Sequence, residues 1–187
     1  MRYDYYPRKA EKVKALGTCT WESIPRMFPG KYNMVYVSGT PVVNSVSPID
    51  VYYVPAEHFE VVDDVWSTAW DFELKTTPPL AVLEATVHWQ MKGKKVVVHF
   101  LQPHHPFIGK VKLKDDFSNV REAYKANVDL VIEYAMKAVN GTTLITADHG
   151  ELLGENGYIG HTRNFMKVGS GRIDYEKLLS IPWEEIV

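Results

Sequence analysis

The sequence predicts an α/β fold: a mostly parallel sheet with helices on both faces. Three stretches predict it. Residues 94–101, KKVVVHFL, form a continuous apolar run, as in a strand buried on both faces. Residues 121–139 place Tyr124, Val128, Val131, Ala135 and Val139 in one stripe at helical spacing. Residues 142–146, TTLIT, return to β-branched and apolar side chains. Strands alternating with helices in this way build parallel crossovers.

At the start of the chain, residues 1–16 are polar and tyrosine-rich. Residues 17–30 contain a helix start, with Thr20 as the N-cap ahead of Glu22 and Ser23. Residues 33–38 read as a strand, and residues 58–66 contain another strand-like run. Its adjacent Asp63 and Asp64 are expected to be solvated turn carboxylates, because neighbouring strand residues face opposite ways. Trp66 and Trp70 are expected in core or lid packing. Pro78 and Pro79 open a helix that runs to about Met91, with Leu80, Leu83, Val87 and Met91 as its inner face and Gly93 as its stop. His99, inside the 94–101 strand, reads as a hydrogen-bonded core histidine. Asn140 and Gly141 end the 121–139 helix, and residues 175–186 form a short closing segment.

At 187 residues the chain, 1–187, is the length of one domain with a sizeable core. Hydrophobic content of 45% with 24% charged residues is that of a soluble globular protein. A net charge of −2 gives no footprint for nucleic acid. Cys19 is the single cysteine, which excludes an intramolecular disulfide and a cysteine-based zinc site. No apolar run has membrane-spanning length and the N-terminus carries no h-region, so the expected location is cytoplasmic.

The chemistry concentrates at residues 142–161, TTLITADHGELLGENGYIGH. A strand ends in Asp148 and His149, at the C-terminal edge where α/β sheets gather ligands. Gly150 is expected to let the backbone turn away. A carboxylate beside a neutral imidazole suits a divalent metal ion such as Mn²⁺ or Zn²⁺, and Mg²⁺ and Ca²⁺ stay open. His161 comes after a loop holding Gly154, Gly157 and Gly160. A second strand edge empties into Gln102-Pro103-His104-His105-Pro106-Phe107.

This string resembles the C-terminal metal motif of the alkaline phosphatase and sulfatase superfamily. The resemblance implies Asp148 and His149 as metal ligands and His161 as a cation facing the substrate. The Pro103–Pro106 segment resembles the superfamily's substrate-binding histidine loop, with His104 in the matching position and His105 in a variable one. The family's nucleophile stands ten residues before the glycine that closes its helix, which points to Thr20 ahead of Gly30, or to Cys19 if the register slips by one. The Pro and Arg that sulfatases use to mature a cysteine are replaced by Trp21-Glu22-Ser23-Ile24. Phosphate esters are therefore expected over sulfate esters. Residues 178–183 resemble the family's terminal L-x-x-V-P-W.

Residues 2–7, RYDYYP, resemble the segment just after the first metal carboxylate of the superfamily. The implied core is N-terminally truncated: it lacks a first strand and one metal Asp, with Asp4 as the only nearby substitute. The resemblance implies a metal-dependent hydrolase of phosphate (or sulfate) esters, with Thr20 attacking and His161 or His104 neutralising charge or protonating the leaving group. A headgroup or glycan transferase of the same superfamily is the alternative, as is an impaired remnant that binds a metal or an anion. The partner would be a small-molecule, glycan or lipid ester. The chain is expected to be nearly inactive by itself and to self-associate or recruit another segment.

Overall fold

The structure is a computed structural model and describes residues 1–187. Its parallel part is a three-stranded sheet, with β2 (Tyr32–Ser38) between β3 (Phe59–Asp63) and β4 (Val96–His99). Val35 and Val37 are fully buried on β2. They pack with Val65 and Val82, the latter on α4 (Pro79–Met91), and Val96 and Val98 close the cluster from β4. Tyr36 and Val97 point to the opposite face, against Ile24 of α1 (Thr20–Met27), Phe59 and Tyr53. Helices thus cover both faces of this sheet. Each fully buried valine contributes on the order of 1.5–3 kcal/mol.

The expectation of a mostly parallel sheet holds for this part only. A second three-stranded sheet is antiparallel, with β9 (Ser180–Ile186) between β1 (Glu11–Lys14) and β5 (Thr143–Thr146). The closing segment is therefore a central strand. Its alternation of apolar and charged side chains is that of an antiparallel strand with one solvated face. A third sheet, also antiparallel, is built from β6 (Leu152–Leu153), β7 (Ile159–His161) and β8 (Asn164–Lys167).

The longest helix, α5 (Val120–Lys137), buries Val120, Ala123, Tyr124, Val128, Val131 and Ile132. These pack with Ile145 of β5, Leu153, Ile159 and Phe107. The inner face of α4 differs from the predicted one. Pro79, Val82, Leu83 and Thr86 are buried, while Met91 is 84% exposed and Leu80 and Val87 are also exposed. The helix is apolar nearly all round, so its pattern did not single out a face.

Asp63 and Asp64 are structural rather than solvated. Asp63 accepts from Trp89 Nε1 at 2.6 Å, and Asp64 accepts from the Ser45 backbone N–H at 3.1 Å and from its hydroxyl at 2.6 Å. His99 Nδ1 pairs with the Tyr36 hydroxyl at 2.7 Å, as a core histidine should. No helix is long and apolar enough to cross a membrane.

Candidate functional site

Thr20 opens α1, and Cys19 is its N-cap residue. The Thr20 hydroxyl therefore does not cap the helix. It donates to Asp148 Oδ2 at 2.7 Å, across 128 residues of chain. The open end of α1 is closed instead by Glu22, which accepts from the Thr18 backbone N–H at 2.9 Å and from its hydroxyl at 3.0 Å. This leaves Thr20 free to turn into the site. Cys19 is fully buried and makes no cap hydrogen bond.

Asp148 and His149 come directly after β5. Asp148 Oδ2 lies 3.6 Å from His149 Nε2, and Thr20 Oγ1 lies 3.4 Å from the same nitrogen. His149 Nδ1 donates to the carbonyl of Gly150 at 2.7 Å. A carbonyl can only accept, so Nε2 carries the ring's lone pair. Since the Thr20 proton points to Asp148, oxygen and nitrogen lone pairs face one another across that 3.4 Å. Such a convergence of acceptors suits a cation.

Gly150 serves a different purpose from the one expected. Its φ is not left-handed; a Cβ there would sit 2.1 Å from the Lys177 carbonyl, where the chain runs against α6 (Tyr175–Leu179). Its N–H donates to the Leu178 carbonyl at 2.6 Å, fixing the residues after His149 to the base of β9.

His161 ends β7 beside His149, with ring centroids 4.3 Å apart, and His104 lies beyond it at 5.1 Å. His161 Nδ1 donates to the Thr162 carbonyl at 2.9 Å and His104 Nδ1 to the His105 carbonyl. All three imidazoles are thus oriented by a backbone carbonyl, an arrangement typical of metal-binding histidines. Asn164 Nδ2 donates to His104 Nε2 at 3.1 Å. Asn127, fully buried on α5, holds the His104 loop. Its Oδ1 accepts from the N–H groups of Ile108 and Gly109 at 3.0 and 3.2 Å, and its Nδ2 donates to the carbonyls of Pro103 and His104 at 3.1 and 3.3 Å.

Sequence alone does not single out Glu151, although it stands three residues after Asp148. It is buried, and ligand atoms of His104, Glu151 and His161 lie within 4.8 Å of one another, a second grouping able to hold a metal ion. An acidic residue in a glycine-rich loop usually faces water, so the signal is easily passed over. Asp4, the substitute ligand named above, is elsewhere: it pairs with Arg2 and Lys177. His105 does not join the group; its ring stacks edgewise on Phe107.

The charges are set by burial. Burial alone would raise the Asp148 carboxyl. His149, His99, the Met1 amine and the Thr20 hydrogen bond outweigh it and hold that group well below the usual carboxylate range. Glu151 lacks comparable partners, and burial pushes it up to about 8, so it is protonated at neutral pH in the free protein. Burial, then proximity to neighbouring imidazoles, brings His104 and His161 down to about 4. The free site holds neutral imidazoles, not the cation expected at His161.

No family model matches the sequence, and no curated protein sequence does. The fold, by contrast, is shared with solved structures. The integral membrane protein lipooligosaccharide phosphoethanolamine transferase A from Neisseria meningitidis matches with a TM-score of 0.64 at 16% identity, over 93% of this chain and 40% of that one. The crystal structure of the soluble domain of that transferase matches with a TM-score of 0.62 at 15% identity, over 93% of this chain and 64% of that one. The chain therefore spans less than two thirds of either structure. At the level of fold, the likeness to the alkaline phosphatase and sulfatase superfamily anticipated from the motifs is met.

Proposed function

We propose that this site transfers a phosphorylated headgroup, of the phosphoethanolamine class, from a phosphodiester donor to an acceptor hydroxyl through Thr20. The hydrogen bond between Thr20 Oγ1 and Asp148, beside His149, is the observation that carries this reading. A hydrolase would use the same residues with water as acceptor. The shared fold with a phosphoethanolamine transferase favours transfer.

The converging lone pairs fit a divalent metal ion, which Asp148, His149 and Thr20 would hold; His104, Glu151 and His161 offer a second grouping. Such an ion, when bound, lowers the pKa of the threonine hydroxyl and offsets charge on the phosphoryl oxygens. Thr20 sits at the N-terminal end of α1, where the helix dipole favours an incoming anion. Its oxygen attacks phosphorus, a bond forms between Thr20 Oγ1 and phosphorus, and the bond to the donor's leaving oxygen breaks. That oxygen departs with a proton. The acceptor hydroxyl then attacks the same phosphorus, gives its proton to the unprotonated Nε2 of His104 or His161, and releases Thr20.

Incubation with a phosphoethanolamine diester followed by mass spectrometry tests the reading. A phosphoethanolamine adduct on Thr20, absent in Thr20→Val, is expected. An adduct on another residue, or faster turnover of an aryl sulfate than of an aryl phosphate, would overturn it.

A further inference from the structure

β4 and β5 each have one unpaired edge. β4 bonds only β2 and β5 bonds only β9. Both free edges line the same cavity, of about 1020 Å³, which residues 94–101 border on one side and residues 142–148 on the other. Val131, Ile132 and Ala135 of α5 floor it. The two strands run the same way, since each delivers its C-terminal end to the His149–His161 site. Burial along them is unlike that of a buried sheet. All of Val96, Val97, Val98 and His99 are only half-buried, whereas Val35 and Val37, one strand over, are fully buried, and Leu144 is 42% exposed.

The backbone pairing decides which groups face the slot. The Val35 N–H bonds the Lys95 carbonyl and the Gly39 N–H bonds the His99 carbonyl. In a parallel pair, alternate residues bond to one side, so Val96 and Val98 direct their N–H and C=O groups into the slot. Apolar walls flanked by unpaired backbone groups suit a β-strand better than a small molecule, because only a strand satisfies both edges.

The two ends of the slot are cationic. Lys95, in no ion pair, lies at the entry of β4, while at the site end the buried Met1 ammonium makes its one hydrogen bond to the neutral His149 carbonyl. We propose that the slot between β4 and β5 is a docking site for an extended, β-branched apolar strand of a partner polypeptide. The strand runs parallel to both edges, with an acidic residue at its start beside Lys95 and a carboxylate at its end beside Met1. Docking would join the parallel and antiparallel sheets into one, without a free edge between them.

The test uses the full chain and a heptapeptide that begins with glutamate, continues with valine, threonine and isoleucine, and ends in a free carboxylate. Hydrogen exchange at the Val96 and Val98 amides and across residues 143–146 should slow at least tenfold on addition, with one peptide bound per chain. The same peptide N-methylated at alternate residues should give no protection, and amidation of its C-terminus should weaken binding severalfold. Val98→Pro, which removes a slot-facing donor while sparing the β2 ladder, should also weaken it. Absence of protection at millimolar peptide, or equal protection by the N-methylated form, would overturn the proposal. Protection of the slot without peptide in a dimer that forms with rising chain concentration would overturn it too, by making a second copy the occupant.

Discussion

Thr20 and Asp148 are joined at 2.7 Å by a hydrogen bond that ties the first turn of α1 to the end of β5. The bond couples two elements that share no sheet. It also dictates where the lone pairs of Thr20 point, because the single hydroxyl proton is committed to the carboxylate. Its remaining acceptor capacity faces His149 Nε2, which has no proton to offer.

A divalent ion is expected to bind there, and Zn²⁺ or Mn²⁺ titrations by calorimetry should show it. Asp148→Asn keeps the shape but removes the ligand charge, and affinity should fall at least about tenfold. Thr20→Val removes one lone pair and should weaken binding less. Unchanged metal content in Asp148→Asn after desalting would rule out this ligand set.

Gly150→Ala should cost about 1–3 kcal/mol, as overpacking of a rigid contact does. The added Cβ would lie 2.1 Å from a backbone carbonyl on α6, not from a side chain that can swing away. A melting temperature lowered by roughly 5 °C is expected for a chain of this size. An unchanged value would mean that α6 shifts freely, and the rigid base of the site would then be in error.

Much of the site could be read from sequence because its parts announce themselves locally. Asp148 and His149 come after a β-branched run, His104 comes after the KKVVVHFL strand, and the structure brings both to one place. What could not be read depended on contacts far away in sequence. Residues 180–186 have no neighbour in sequence that marks them as the centre of a sheet; their partners, β1 and β5, lie far from each other along the chain. Glu151 looks like an ordinary loop acid until burial removes it from water. The neutral state of His161 likewise results from burial, which no motif states.

Stability should fall on acidification through the Arg2 network. Arg2, 3% exposed, donates from Nε to Asp4 Oδ1 at 2.8 Å and from Nη1 to Glu155 Oε1 at 2.8 Å. Burial raises both carboxyls, but the hydrogen bonds from Arg2, together with the Leu153 N–H at Glu155 and Lys177 at Asp4, leave both below their ordinary values. A carboxyl depressed in the folded state contributes stability above its unfolded pKa and loses it as pH falls through the folded one. Thermal melts should therefore drop steadily below about pH 5. Glu155→Gln should melt lower at neutral pH and show a shallower acid limb. A parallel limb in the variant would exclude Glu155 as a contributor.

Asn127 offers the sharpest test of how His104 is held. Its one amide satisfies two N–H groups and two carbonyls of the 103–109 loop, and no other side chain bonds those N–H groups. Asn127→Leu preserves the bulk and leaves these groups without partners inside the protein. Each buried unpaired group costs about 1–3 kcal/mol, and the loop has somewhere to relax, so a net loss of about 2–4 kcal/mol is expected. Asn127→Asp keeps an acceptor for Ile108 and Gly109 but can no longer donate to Pro103 and His104, and it should fall between the two. The loop should loosen before the helix does, because α5 keeps its other buried contacts with Phe107, Ile145 and Leu153. Imidazole nitrogen chemical shifts would then move at His104 and stay put at His149, whose orientation rests on the Gly150 carbonyl. If His104 keeps its shift in Asn127→Leu, the prolines on either side suffice to hold the loop, and the amide is only packing.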